Sequence, residues 1–450
     1  MTDISTDPPL VFRARDSRPA PVQTVGAIGW MRRNLFGDIP NALMTIFGAW
    51  IIYLVVSNLL NWAVFNAIWE AENRRECLDL VGRAGACWPG VRAWWPNLIY
   101  GLYPKDQVWR INLGFVLLVP WVIPLWMPKV VSKVNIGLSA VLLYPLLASY
   151  WFMGGDKGLI WWALIALGLT GFVWVWATAI SEQVAGRTIG QWIVARSGLP
   201  ATDESRHRRL LYTVTALVYV ASLFATHFWE LSFVGTTRWG GLFLTLVISG
   251  IGITFSLPSG IVLALGRRSK MPVISVLSTA FIELFRSVPL ITILFMFNTM
   301  MPLFMPEGMQ INQLLRAIVA VCFFAAAYMA EVIRGGLQAI PRGQYEAASS
   351  LGLGYWQTTR FIIMPQALKI MIPTIVGNFI GLFKDTTLVS IIGLFDLMNM
   401  ARAVGEDTRW LGLFIEPFFA VTMIYFVFCY AMSSYSISLE KKLGKGRDRG

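Results

Sequence analysis

The chain is 450 residues long, 56% hydrophobic and only 14% charged, with a mean hydropathy of +0.60. A soluble chain carries about 25% charged residues, so this composition excludes an ordinary soluble domain. A net charge of +12 would suit nucleic acid, but membrane proteins concentrate Lys and Arg on their cytoplasmic side, which explains the excess without a polyanionic partner.

Residues 1–38 are polar, lack the apolar stretch of a signal peptide, and read as a cytoplasmic tail. Charge-free apolar runs follow at 39–69, 111–128, 134–155, 158–181, 210–229, 239–266, 287–306 and 417–439. Each approaches or exceeds the roughly 20 residues that cross a bilayer. Two weaker runs carry one basic residue each, Arg316 in 308–330 and Lys369 in 365–383, and both side chains can snorkel to an interface. None of the runs alternates with the period of a barrel strand. The expected fold class is an all-α membrane protein with about ten transmembrane helices (eight to ten). With the N-terminus inside, most of the 37 Lys and Arg residues fall on the inside, so both termini are expected to be cytoplasmic.

The runs group into two blocks. Residues 39–181 hold four Trp-rich spans with an outside loop at 70–110, and read as an accessory membrane region. Cys77 and Cys87 share that loop and are disulfide candidates if it faces an oxidising compartment. Cys322 and Cys429 lie within spans as small packing residues. A polar linker at 182–209 leads to the second block, 210–440, and 441–450 is a basic tail. "SKMPVISVLSTAFIELFRSVPL" reads as an amphipathic helix along the cytoplasmic face before Pro289 opens the next span. The two histidines, His207 and His227, offer no metal-ligand spacing, so no metal is expected.

One polar segment interrupts the second block: "GQYEAASSLGLGYWQTTRFIIMPQA", Gly343 to Ala367. "IPRG" predicts a turn, and Gln344 to Leu351 a short helix with Glu346 in its first turn, where a carboxylate favours the dipole. Ala347, Leu351 and Tyr355 then make one apolar stripe. Gly352 and Gly354 end the helix, and a second short helix, Tyr355 to Ile363, runs to Pro365, which starts the return to the membrane. Such a pair of helices suits a knob seated in a partner's groove. On physics alone an interfacial loop helix with no partner fits equally well.

The spacing resembles the EAA loop of ABC-importer permeases: E-A-A, three residues, G, nine residues, I, one residue, L-P. Glu346, Ala347, Ala348, Gly352, Ile362 and Pro365 match it, and Met364 stands where Leu is usual. The flanks "AYMAEVIRGGLQAIPRGQYEAASSLGLG", "ELFRSVPLITILF" and "LFKDTTLVSIIG" are similar to the polar-amino-acid branch. The first block, with "ACWPG" and "YPKDQVWR", resembles permeases of general L-amino-acid importers. The resemblance implies a type I ABC-importer core with a coupling loop at 340–365, Gln344 included, in a bacterial inner membrane. It implies a separate ABC ATPase subunit, a periplasmic amino-acid-binding protein, and a second permease, with a heterodimer favoured. No cofactor is expected on this chain; no G-x-x-x-x-G-K-[ST] occurs, so ATP would be used by the ATPase partner. No nucleic acid is expected as a partner.

A zwitterionic amino acid crossing the membrane needs polar partners. Candidates along the path are Asn298, Tyr328, Asn378, Lys384, Thr386 and Glu416. Glu331 with Arg334, and Lys384 with Asp385, read equally as structural ion pairs. A proton- or sodium-coupled transporter is the alternative, but it would need its own ion site and leaves the loop unexplained. A membrane-embedded enzyme would need a catalytic cluster, which two scattered histidines do not supply.

Overall fold

The charge-free runs become helical, because a lipid-facing backbone can satisfy its N–H and C=O groups only within itself. The computed structural model describes residues 26–82, 84–127, 129–156, 158–186, 191, 204–308 and 311–444. Every regular element among the described residues is helical, with only isolated β-bridges elsewhere. The tail 1–25, most of the linker at 182–209 and the end of the basic tail lie outside them.

The chain divides into two compact units at Trp88/Pro89. The first holds α1 (Gly26–Asn34) and α2 (Ile39–Leu60), which has Pro40 in its first turn and runs into a π turn at Asn61–Phe65. A short helix α3 (Arg74–Val81) follows, its start capped by Asn73, whose side chain accepts the Glu76 N–H at 3.1 Å. Cys77 and Cys87, both buried, are joined in a disulfide with Cα atoms 6.0 Å apart. Trp88 donates to the Ala63 carbonyl at 2.8 Å and stacks on Trp69.

The second unit begins with α4 (Trp88–Tyr100) and α5 (Val108–Trp126). Two half-length helices follow, α6 (Lys133–Leu142) and α7 (Tyr144–Met153), then α8 (Leu159–Ala185) and α9 (Glu204–His227). Of these, α5 and α7 share a core with α10 (Gly241–Arg267). Phe152 meets Phe243 at 5.0 Å and Trp239 at 5.9 Å, and Ile111 and Ala148 lie in the same buried cluster as Ile248 and Leu294. Gly101 has φ +68°, and a Cβ there would lie 2.3 Å from the Gly240 backbone, so only glycine permits this approach.

The remaining helices are α11 (Pro272–Ser287), α12 (Leu290–Met300), α13 (Gln313–Gln338), α14 (Arg342–Ser350), α15 (Met364–Asp385), α16 (Leu397–Glu406) and α17 (Ile415–Gly444). The α10–α13 pair forms the centre, packed through small residues as membrane helices are. Ala317, Ala320, Ala326, Ala327 and Ala330 of α13 are buried, and a Cβ on Gly260 would press within 3 Å of Met329.

Nine helices among the described residues are long and apolar enough to cross a bilayer, and a tenth span appears if α11 and α12 count together. The run at 287–306 is therefore not a straight span. Pro289 caps α12, Pro302 breaks into a 3-10 turn, and α12 is too short to cross alone; it meets α11 at 106°. The run at 365–383 also differs. Its helix starts at Tyr355 and continues to Ile392.

Candidate functional site

The polar segment is built from α14 and the helical path that follows it. Pro341 is the N-cap and the helix begins at Arg342, so Glu346 sits in the second turn rather than the first. Proline at the cap fixes the entry, which lets the helix start two residues earlier than the turn reading of "IPRG" allows. At the other end, Gly352 has φ +72°. Its N–H bonds the Ser349 carbonyl at 2.9 Å, and the Leu353 N–H reaches the Ala348 carbonyl at 3.1 Å. That pair of bonds is a Schellman stop, which needs the left-handed conformation glycine adopts without strain. Nothing lies within 4 Å of a Cβ built on Gly352, so its requirement is purely one of backbone.

The second short helix is not separate. Tyr355–Gln357, a π turn at Thr358–Ile363 and α15 run on as one path, and Pro365 lies inside it. Proline gives no N–H to the carbonyl four residues back, that of Phe361, and its ring crowds it. A π turn ending just before the proline widens the helix there and absorbs the defect. The stripe Ala347–Leu351–Tyr355 likewise does not run along one helix, because α14 stops at Ser350. All three residues are nonetheless exposed, beside Trp356 (71% exposed) and Phe361.

The knob is braced from below. Ala348 is fully buried. Gln366 of α15 donates to the Gln344 side chain at 3.0 Å, and Arg268 lies over the Tyr345 ring, 5.9 Å from its centre. Ile362 is half-buried and Ile363 is buried in a cluster with Ile340, Ala367 and Met329. α14 is thus packed against α13, α15 and the residue that ends α10.

Next to this base lies an ionic hub that motif reading did not reach. Glu331 accepts from Arg267 at 2.7 Å and from Arg334 at 2.7 Å, and Arg286 stands 3.9 Å away. Arg267 also pairs with Glu283 at 2.9 Å. One carboxylate thus ties α10, α11 and α13 together, where the sequence offered only the local Glu331–Arg334 pair. The spacing i, i+3 predicts that local pair, but the other partners are 64 and 45 positions away and leave no local signal.

The path candidates are spread over α12, α13, α15, the turn after α15, and α17. Tyr328 lies on α13 beneath Arg286, whose guanidinium is 5.5 Å from the ring centre. Asn378 is half-buried on α15. Lys384 is exposed at the end of α15 and makes no ion pair with Asp385 among the described residues. Thr386 is buried and donates to the Phe383 carbonyl at 2.7 Å. Glu416 is buried in the first turn of α17. Asn298 sits near the end of α12, and its carbonyl accepts from Arg316.

Sequence reasoning missed Asp396, a fully buried acid between the spans. It caps α16, accepting the N–H groups of Met398 at 3.0 Å and Asn399 at 3.2 Å. Burial pushes its carboxyl up to about 7, against the pull of those N–H groups and of Arg402. An Asp directly before the periodic "LMNMARAVG" was the signal available.

Residues 256–445 match the model of the binding-protein-dependent transport system inner membrane component. The chain is 39% identical over 437 residues to the inner membrane amino-acid ABC transporter permease protein YhdY of Escherichia coli (strain K12), covering 97% of this chain and 98% of that protein. It is 42% identical over 433 residues to the glutamate/glutamine/aspartate/asparagine transport system permease protein BztC of Rhodobacter capsulatus, covering 95% and 96%. A crystal structure of an amino acid ABC transporter with histidines aligns over 44% of this chain and 90% of its own, at 31% identity and a TM-score of 0.40. The chain belongs to the binding-protein-dependent transport system inner membrane components: it is a multi-pass permease subunit of an ABC transporter in the inner membrane.

Proposed function

We propose that this permease carries L-amino acids of broad range from periplasm to cytoplasm, and that it does so as one of two dissimilar permeases. The substrate class follows the names of its two full-length relatives, an amino-acid permease and a glutamate/glutamine/aspartate/asparagine permease. A separate ATPase hydrolyses the ATP, and this chain binds no cofactor itself. A periplasmic binding protein delivers the substrate.

The observation that carries this reading is the braced knob, α14 with its glycine stop. Gln344, Glu346, Ala347, Ala348, Gly352, Ile362 and Pro365 shape it. It offers exposed Leu351, Tyr355, Trp356 and Phe361 to an apolar groove on the ATPase. Closing of the ATPases on ATP moves the knob, and the packed base turns that motion into a switch between two arrangements of the spans. The knob then lies in the cytoplasm. With α11 and α12 counted as one bent span, an even number of spans separates the knob from each terminus, and on this reading both termini are cytoplasmic and the Cys77–Cys87 loop lies outside. Residues 39–181 act as an accessory region, 182–209 as a linker and 210–440 as the translocating domain. Asn298, Tyr328, Asn378, Lys384, Thr386 and Glu416 remain the candidates along the path.

Cysteine cross-linking tests the reading. A single cysteine at Trp356 should cross-link to the co-expressed ATPase, with yield that changes on adding ATP, whereas a cysteine at Trp69 should not. Equal labelling of both positions would leave the knob as a plain interfacial loop.

A further inference from the structure

The start of α13 is rich in polar side chains, and nearly all of them are spoken for. Asn312 caps the helix, accepting the Leu314 N–H at 2.9 Å, and its amide donates to Thr236. Gln313 donates to the Ile392 carbonyl. One turn further on, Arg316 uses a terminal nitrogen to hold the backbone carbonyl of Asn298 on α12. Two polar atoms of this pair are left over. The Nε of Arg316 and the side-chain oxygen of Asn298 are both covered from solvent and have no hydrogen-bond partner. Arg316 also makes no ion pair with any acid among the described residues.

Neither ordinary explanation accounts for this. A snorkelling arginine turns its head outward to the interface, whereas this one reaches inward to the neighbouring helix. A structural arginine in a membrane span takes an acid or several carbonyls, as Arg110 does with the Trp151 and Ser232 carbonyls and the Gln107 side chain. Among the described residues Arg316 is held by one bond, and leaving its covered Nε without a partner is costly.

We propose that Arg316 and Asn298 form a subsite for the zwitterionic head of the transported amino acid. The unused guanidinium donors take its carboxylate, in the fork geometry arginine favours. The unused amide oxygen takes its ammonium. One leftover donor and one leftover acceptor on adjoining helices match those two charges. The pair lies at the opposite end of α13 from the knob, on the side that receives substrate in the reading above, on which this subsite rests. Its atoms are covered in this arrangement, so substrate meets them when α12 and α13 part.

The test uses the complete importer in vesicles and whichever of L-glutamate, L-glutamine and L-leucine the wild type takes up fastest. Arg316→Gln should lower uptake about 10- to 100-fold, the span expected for a hydrogen bond to a charged group. Arg316→Lys should also lower it about tenfold or more, because a single ammonium cannot reproduce the fork. Asn298→Asp is the sharpest variant. It gives Arg316 its own carboxylate, so melting temperature should hold or rise while uptake falls as far as in Arg316→Gln. Wild-type uptake by Arg316→Lys would make the residue an interfacial anchor and overturn the subsite, as would wild-type uptake by Asn298→Asp. If Asn298→Asp fails to insert, the two arginine variants decide. Absence of uptake of all three amino acids by the wild type overturns the amino-acid reading instead, by a result that concerns no variant.

Discussion

At the scale of single residues, three positions make sharp predictions. Gly352 holds φ +72° with open space around it. Gly352→Val should therefore cost roughly 1–2 kcal/mol or more through the backbone alone. Insertion should survive and uptake should fail, measured in reconstituted vesicles, while Gly352→Asn should retain much of it because Asn tolerates this conformation. Wild-type uptake by the valine variant would disprove coupling through this turn. Glu331→Gln leaves Arg267, Arg286 and Arg334 facing one another with Glu283 as the remaining acid. The partners are partly exposed, so the expected loss is about 2 kcal/mol, below that of a fully buried pair, read as a drop in melting temperature that added salt partly reverses. Asp396 has the sign of a buried acid. Its folded-state carboxyl titrates near 7, above its unfolded value of 3.8, so its contribution is fully present below that unfolded value and is lost as pH rises through about 7. The melting temperature should fall between about pH 4 and about pH 7, and Asp396→Asn, which keeps a capping oxygen, should flatten that slope. An unchanged slope would mean that another group sets it.

At the scale of elements, what was legible in the sequence depended on whether the cause was local. The spans were legible because lipid imposes length and apolarity along the chain. The turn at Gly352 was legible because a glycine after "EAASSL" names its own conformation. The π turn was not, because it answers to Pro365 several residues later and the sequence between is ordinary helix. Breaking the return helix at Pro365 treated the proline as a stop, whereas a widened turn absorbs it. Pro365→Ala should let that turn tighten towards α-helix, rotating Tyr355 and Trp356 about the path. Uptake should fall several-fold without loss of insertion, and hydrogen exchange at 358–363 should slow. The hub on Glu331 and the Arg316–Asn298 contact were illegible for another reason. Both are side-chain meetings between helices, and no spacing within one helix encodes them.

At the scale of the whole molecule, α5 and α7 share a core with α10 and α12. Tyr103, Ile111 and Phe152 are buried with Phe243 and Leu290. A chain begun near Ala201 loses that face of the core. When it is inserted it should still bind the ATPase through α14, but it should melt below the full chain. Loss of ATPase binding in a well-inserted truncation would make residues 39–181 part of the coupling apparatus. The Cys77–Cys87 bridge gives a further check. Closing so short a loop is worth roughly 2–3 kcal/mol on the chain-entropy account, and both thiols should resist labelling until reduced.

α2 is the helix with no buried residue at all, while α13 buries one side almost completely. A lysine scan turns this difference into a pattern. Along α13 the tolerance profile should rise and fall every 3.6 residues, tracking the buried side. Along α2, none of whose residues is buried, the profile should be flat around the helix and vary only with depth, at about 2.5–3.5 kcal/mol per lysine near the bilayer centre. A helical period emerging in α2 would mark the stripe of a second polypeptide seated there, and its phase would name the residues that touch it.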